Sequence, residues 1–488
     1  MAWVKRSSLA PALAGLALLV AGCRAVGPDY VAPKPSLPAS FAEVPGTILG
    51  QASEAPFIDD AWWKNFTDTT LDTLIAQALK SAPDLAEAEA RVREARALQG
   101  FAGGGRYPIA DADGEYARNL GSGNVPTGVP PGGLGPGIRS NLYQAGFDAS
   151  WEIDFFGGIR RTIEAANANY QAVAEDRADV TLTLLAEVAR DYIDLRGAQR
   201  RIEVAQKNLA IERDLLALTQ SLLTAGLAPQ QDLLRAEAQV RDIQAAIPEF
   251  ETDERAAGYR IAALIGRPFA EVSAELSLPS PIPQSAAEIP VGLPSDLLKR
   301  RPDVRAAERR IAAANARIGV AQADLYPHFS LIGVAGLETL SFSSFGNASS
   351  GYYQIGPGVT WRIFDAGRIR FQVQAESART AAATAAYERS VLDAFRDVET
   401  ALVSYANAKV RSDELAAESA ADAEAAEIAK LLYARGVESF LPVLDAERSL
   451  YAADDALAQS ERDSALALVA LYKSLGGGWQ TASAHFGD

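Results

Sequence analysis

"WEIDFFGGIR", Trp151 to Arg160, changes character at its midpoint. Before the two glycines, apolar and polar residues alternate as on a strand with one dry face. After them begins a proline-free run that reaches Thr224. In it Leu182, Leu185, Val188, Tyr192, Leu195, Ile202, Ala205 and Leu209 recur at helical steps, and only Gly197 interrupts. "WRIFDAGRIR", Trp361 to Arg370, repeats the change 210 residues later. The chain thus twice runs a strand into a helix of about 100 Å. A helix of that length needs lateral neighbours along its whole course.

The rest of the chain is duplicated around these two stretches. Pro83-Asp84 recurs as Pro302-Asp303 and Tyr107-Pro108 as Tyr326-Pro327, an offset of 219. Trp151 recurs as Trp361 and Gly226 as Gly436, an offset of 210. The nine extra residues of the first copy fall in GSGNVPTGVPPGGLGPG, Gly121 to Gly137, whose Gly and Pro content reads as an exposed loop. A period near 200 marks a doubled half, not a solenoid.

Each half opens with a helical stripe: Leu85, Ala88, Val92, Ala95 and Leu98 in one, Val304, Ala307, Ile311, Ala314 and Ile318 in the other. Tyr-Pro closes it, because proline disfavours helix at the preceding residue. Two strands follow. In the first half Tyr143, Ala145, Phe147, Ala149, Trp151, Ile153 and Phe155 alternate with polar residues; in the second Tyr353, Ile355, Val359, Trp361 and Ile363 do. A soluble antiparallel sheet with one wet face is one reading. The other is a membrane barrel, apolar outside and polar inside, with aromatics near the strand ends. Four strands cannot close around a lumen, so a barrel implies several chains; three would give twelve strands.

The formal net charge of −16 argues against nucleic acid as a partner and suits a lumen that repels anions. One cysteine, two histidines and one methionine leave little for a metal centre. No Ser/His/Asp or Cys/His set is available for catalysis, so the chain does not read as an enzyme. Lys5 and Arg6 followed by an apolar Leu9–Val20 form a secretory signal, too short to span a bilayer. It ends in "VAGC", Val20 to Cys23, which resembles a bacterial lipobox. Cys23 would then become the mature N-terminus, carrying diacylglycerol and an N-acyl chain; the alternative is a signal peptide with an incidental cysteine. With Arg24 and not Asp at the following position, the resemblance implies sorting to the outer membrane. No cofactor is expected beyond that covalent lipid.

Each long helix stops at a glycine and turns back: "LLTAGLAPQQDLLRAEAQ", Leu222 to Gln239, and "LLYARGVESFLPVLDAERS", Leu432 to Ser449. Gly226 and Gly436 suit a left-handed position past a helix end, and Pro229 and Pro442 suit a first turn. The tips differ in chemistry. Arg235 stands where the second copy has Asp445, Gln231 where it has Leu441, and Ala228 where it has Glu438. In a ring of chains, Leu441 and Asp445 layers would make a constriction that dewets and repels anions. An Arg235–Asp445 pair would latch neighbouring hairpins. The plain alternative is a solvated helix surface.

The chain resembles the TolC-like outer membrane efflux proteins, specifically their NodT-type lipoprotein branch. The resemblance rests on "AGCRAVGPDYVAPKPSLPASF", Ala21 to Phe41, and "WWKNFTDTTLDTLIAQAL", Trp62 to Leu79. Most specific is "VGLPSDLLKRRPDVRAAERRIAAANARIGVAQADLYPHFSL", Val291 to Leu331; "AAIPEFE" and "LIGRP" also fit. It implies a mostly α fold with a membrane β-barrel, each chain giving four strands in two hairpins plus long helices in two tandem repeats. A homotrimer would form a 12-stranded barrel and a 12-helix periplasmic tunnel. The implied role is a passive conduit in the outer membrane, exporting drugs or other small molecules. A periplasmic adaptor and an inner-membrane RND-type pump would be its partners, besides outer-membrane lipid. The family's Leu and Asp at the aperture map onto Leu441 and Asp445, whereas Glu438 and Pro442 depart from the TolC pattern.

The expected layout is a signal peptide (1–22), an N-terminal lipoprotein segment contributing to an equatorial region (23–68) and a first repeat (69–275). That repeat holds a strand hairpin at about 107–156 and a helical hairpin at about 160–265. A linker (276–294), a second repeat (295–475, strands about 327–364, helices about 368–475) and a tail (476–488) follow. Trp151, Gly157, Gly158, Trp361 and Gly367 would mark the strand–helix junction. A type I secretion channel, a metal-ion exporter and a coiled-coil envelope scaffold are the competing functions.

Overall fold

The structure, a computed structural model of one chain, describes residues 25–35, 38, 40–42, 60–121, 124, 138–285 and 294–480. The signal segment, Cys23, most of the Gly121–Gly137 loop, residues 286–293 of the linker and the end of the tail lie outside these. The chain folds as α1 (Thr69–Ser81), α2 (Pro83–Gly104), β1 (Ile109–Leu120), β2 (Arg139–Ile153), α3 (Gly158–Thr224), α4 (Gln230–Leu264) and α5 (Phe269–Leu276). Then come α6 (Pro294–Arg300), α7 (Pro302–Ala323), β3 (His328–Thr339), β4 (Gly351–Thr360), α8 (Arg368–Ala434) and α9 (Phe440–Ser474). The duplication holds in element order from α2 to α4 and from α7 to α9, with β2 (15 residues) and β4 (10) the unequal pair. α2 and α7 have 22 residues each, β1 and β3 12, α3 and α8 67, α4 and α9 35. Among the described residues, no helix is long and apolar enough to cross a membrane.

Two compact units form, and the boundaries between them fall after Pro33 and inside α2, α3, α7 and α8. One contains the sheet with the flanking ends of these helices. Its four strands are antiparallel in the order β1-β2-β3-β4, so the central ladder joins strands from different halves of the chain. Directly paired residues share a face. The register puts Phe147 opposite Ala112 and Ala335, Trp151 opposite Leu331, and Tyr353 opposite Ala335, all on one face. The other face carries Asp111, Asp113, Glu115, Asp148, Glu152 and Glu338, with no Lys or Arg on it. The alternation read from the sequence thus becomes one apolar and one acidic face. β4 ends at Thr360, short of the expected strand through Trp361 and Ile363. Thr360 pairs with His328, the first residue of β3, and Pro327 before it has no N–H to extend the ladder.

The other unit is built on one large apolar core. Trp62, Phe66, Leu71 and Leu74 enter it from the N-terminal side; Leu185, Val188, Tyr192 and Ile193 come from α3. Ile261 of α4, Leu402 of α8 and Leu468, Leu471 and Tyr472 of α9 complete it. Trp62 stacks on Tyr472 with ring centres 5.1 Å apart, fixing the WWKNF turn against α9. Asp68 caps α1 by accepting from Thr70 and Leu71 amides and takes the Tyr192 hydroxyl at 2.8 Å. Gly197 does not interrupt α3. It makes room for Arg462, whose Cδ would lie 2.8 Å from a Cβ there. α4 continues through Pro248, which leaves the Gln244 carbonyl without its in-helix donor.

Candidate functional site: strand–helix junctions and helical tips

At the junctions the sequence signal becomes a repeated device. The Trp151 indole N–H donates to the Arg106 carbonyl at 3.0 Å, and that of Trp361 to the Leu325 carbonyl at 3.1 Å. Trp151 lies near the end of β2 and Trp361 just past β4, so each bond ties the end of a hairpin to the segment that leads into its first strand. Gly157 and Gly367 both stand at φ +84°, the left-handed turn that swings the chain from strand to helix. Gly158 instead is the first residue of α3, and it supplies space: a Cβ there would stand 3.0 Å from that of Ala323. Asp154 then caps α3, accepting from the Ile159 and Arg160 amides at 3.1 and 2.9 Å. Asp365 does the same for α8, accepting from Gly367 and Ile369 at 2.8 Å, and these amides hold its carboxyl below the usual range.

The N-terminal segment is seated on the first junction. The Val26 amide donates to the Phe156 carbonyl at 2.9 Å. Arg161, its side chain 5 % exposed, donates to the carbonyls of Val26 and Gly27 and to the carboxylates of Asp29 and Glu164. Asn315 donates to the Pro28 carbonyl at 2.9 Å, and Tyr30 to Glu308. Aromatic pairs border the apolar sheet face at the other end of the strands: Tyr116 and Tyr143 lie 5.0 Å apart, Tyr143 and Phe342 5.5 Å. Tryptophan near one end and tyrosine near the other is the girdle pattern of a bilayer-spanning sheet.

The helical tips, in the other unit, are duplicated as well. Gly226 and Gly436 have φ of +73° and +70°. In each turn the glycine amide bonds three residues back and the next amide five back, to Leu222 and Leu432, closing the helix end. Pro229 precedes α4 as its N-cap residue, not within the first turn as expected, whereas Pro442 lies in the first turn of α9. Leu441 is 46 % exposed, and Glu438 and Asp445 are exposed beside it. Phe440, Val443 and Leu444 turn inward onto Leu215, Ala236 and Tyr433. No ion pair within the chain joins Arg235 to Asp445 among the described residues.

Just behind the tips lies a buried charged cluster that the sequence reading missed. Glu212 on α3 is 2 % exposed and Glu447 on α9 1 %. Lys430 on α8 reaches Glu447 at 2.7 Å and Glu427 at 3.1 Å. Glu212 Oε2 is buried without a hydrogen-bond partner. Burial first, then the Glu447 charge, pushes the Glu212 carboxyl up to about 7. The signal was in the sequence: Glu447 occupies the apolar stripe Phe440, Val443, Leu444, Leu450, and Glu212 the stripe Ala205, Leu209, Leu215. Among the described residues no group of three His, Cys, Asp or Glu is placed to hold a metal ion.

The profile of the family described as "Outer membrane efflux protein" matches residues 74–267 and 293–477. The chain is 34% identical over 430 residues, 87% of itself and 89% of the relative, to the pyoverdine export outer membrane protein OpmQ of Pseudomonas putida. To nodulation protein T of Rhizobium leguminosarum bv. viciae it is 31% identical over 472 residues, 96% and 93% of the two chains. Its fold superposes on the outer-membrane channel OprN with a TM-score of 0.85 at 36% identity, covering 93% of this chain and 99% of that one.

Proposed function

This chain belongs to the outer membrane efflux protein family, and from that footing we propose that three copies form the exit duct of a tripartite, RND-type efflux system. It is an efflux channel protein of the outer membrane. The observation that carries the trimer is the sheet. It has one apolar and one acidic face, two unpaired edges at β1 and β4, and runs directly into 67-residue helices. A sheet in hydrocarbon has no tolerance for open edges, and four strands are too few to enclose water. Three copies close twelve strands with the apolar face on lipid and the carboxylates inside. α8 supports lateral assembly: Leu392, Val403, Val410, Ile428 and Leu431 remain exposed along one stripe of it. Such a stripe suits a helix of a second copy.

The remaining parts follow from this arrangement. Acyl chains on Cys23 enter the periplasmic leaflet, because residues 26–30, a few positions on, are fastened at the strand–helix junction. Leu441 and Asp445, with Glu438 and Arg235 nearby, ring the periplasmic aperture, where Arg235 and Asp445 of neighbouring copies meet. A periplasmic adaptor engages the tips, and an inner-membrane pump supplies small-molecule cargo and energy. The test is reconstitution of the purified protein into planar bilayers, with unboiled gels run alongside. A heat-dissociable trimer and defined conductance steps are expected. A monomer that leaves bilayers silent would overturn the proposal.

A further inference from the structure

We propose that Glu212, Glu447 and Lys430 form a proton-operated clasp between the two helical hairpins of each chain, shut when Glu212 is protonated and loosened when it is not. The inference rests on the channel function, and it concerns what sets the aperture rather than what passes through.

The geometry pairs Lys430 with one buried carboxylate, Glu447, while the second buried carboxylate, Glu212, makes no ion pair among the described residues. Lys430 spends its charge on Glu447 and on the exposed Glu427. The groups facing Glu212 are Glu447 and Arg448 from α9 and Lys430 from α8. Arg448 donates instead to Gln239 at 2.7 Å, and Gln239 is the neutral group that α4 contributes. On α3 itself Asn208 and Thr219 turn their donors back onto the carbonyls of Val204 and Leu215. An ionised Glu212 would therefore stand in a buried helix interface with no donor for Oε2 and a like charge nearby, which is costly. As a neutral acid it fits.

The location gives the clasp leverage. Glu447 is two residues from Asp445 and six from Leu441 on α9, and Lys430 is six residues before Gly436. On α3, Glu212 is fourteen residues before Gly226, about 21 Å along the helix axis. Separation of α3 from α8 and α9 at this level would move the tips apart. The sign is fixed by the raised acidity range: closed packing is favoured in acid, and that contribution is lost as pH climbs through about 7.

The experiment records single channels of the full-length protein from mildly acid to mildly alkaline buffer, with Glu212→Gln and Glu447→Gln beside the parent. In the parent, open probability is expected to rise through neutral pH. Glu212→Gln, permanently neutral, should stay in the low-conductance state throughout. Glu447→Gln leaves Glu212 alone with Lys430 and should move the midpoint down by about one pH unit. Infrared difference spectra supply a second readout, in which the protonated-carboxyl band of the parent should disappear over the same range and be missing from Glu212→Gln. A Glu212→Gln channel that titrates like the parent, or a carboxyl band that survives that substitution, would overturn the clasp. A parent that never conducts while the band titrates normally would instead count against the channel function.

Discussion

The Trp361 indole nitrogen and the Leu325 carbonyl lie 3.1 Å apart, and the repeat-equivalent pair, Trp151 and Arg106, lies 3.0 Å apart. The offsets differ, 210 for the tryptophans and 219 for the acceptors, yet the bond is the same. It fastens the end of the second strand to the segment leading into the first, where the chain changes between helix and strand. Replacing either tryptophan by phenylalanine keeps a ring but removes the donor, at a cost of about 1 kcal/mol. Thermal unfolding in detergent should register a lower midpoint for each variant; unchanged midpoints would mean that the bond contributes nothing.

Gly157 and Gly367 share φ +84° but not surroundings. A Cβ on Gly367 meets nothing nearer than Phe371 at 3.5 Å, so Gly367→Ala should cost only the backbone strain, about 1–2 kcal/mol. On Gly157 it would stand 2.4 Å from the Ala25 side chain. Gly157→Ala should therefore cost more and also release the N-terminal segment. Limited proteolysis of residues 25–30 separates the two, and equal protection in both variants would refute the seating of Ala25.

If Leu441 and Asp445 ring the aperture as proposed, Leu441→Ala combined with Asp445→Ala should raise single-channel conductance. Neither side chain is buried in the chain's own core, so folding should be little affected. Conductance identical to that of the parent would remove these residues from the constriction.

Burial is the leading cause that raises the carboxyl groups of Asp179, Asp194, Glu212 and Glu461. A carboxyl that keeps its proton longer in the folded than in the unfolded chain adds stability in acid, and this is lost as pH rises through the raised range. The helical unit should melt at a lower temperature in mildly alkaline than in mildly acid buffer, and Glu212→Gln should flatten the part near neutrality. A midpoint that climbs with pH would contradict this assignment.

Much of this was legible in the sequence, because duplication let each half check the other. The long helices and the dyad pattern of the strands are legible from periodicity, and both turns from their glycines, although β4 ends short of its expected bound. What stayed hidden depends on distant contacts. The seating of residues 26–28 uses backbone carbonyls, which carry no sequence signature. The long LKRRPDVRAAERR stretch was conspicuous, but its work was not. Arg301 bridges Asp303, Asp397 and the Ser474 carbonyl, tying three parts of the second half together. Glu212 and Glu447 escape such a reading because a stripe is read by its apolar members, and a carboxylate within one looks like a gap in the pattern.

The central ladder of the sheet has one more consequence. β2 and β3 belong to different halves, so the pairing of Tyr143 with Thr339 joins the second strand of one half to the first strand of the next. Carried forward by 210 and back by 219, that pair becomes Tyr353 and Leu120, on the two open edges. A seam between copies that repeats the seam within the chain sets Tyr353 of one copy opposite Leu120 of its neighbour, both on the apolar face. Cysteines at the two positions should cross-link copies into closed rings. In the proposed trimer the wall is a six-spoked wheel, each rivet used twice.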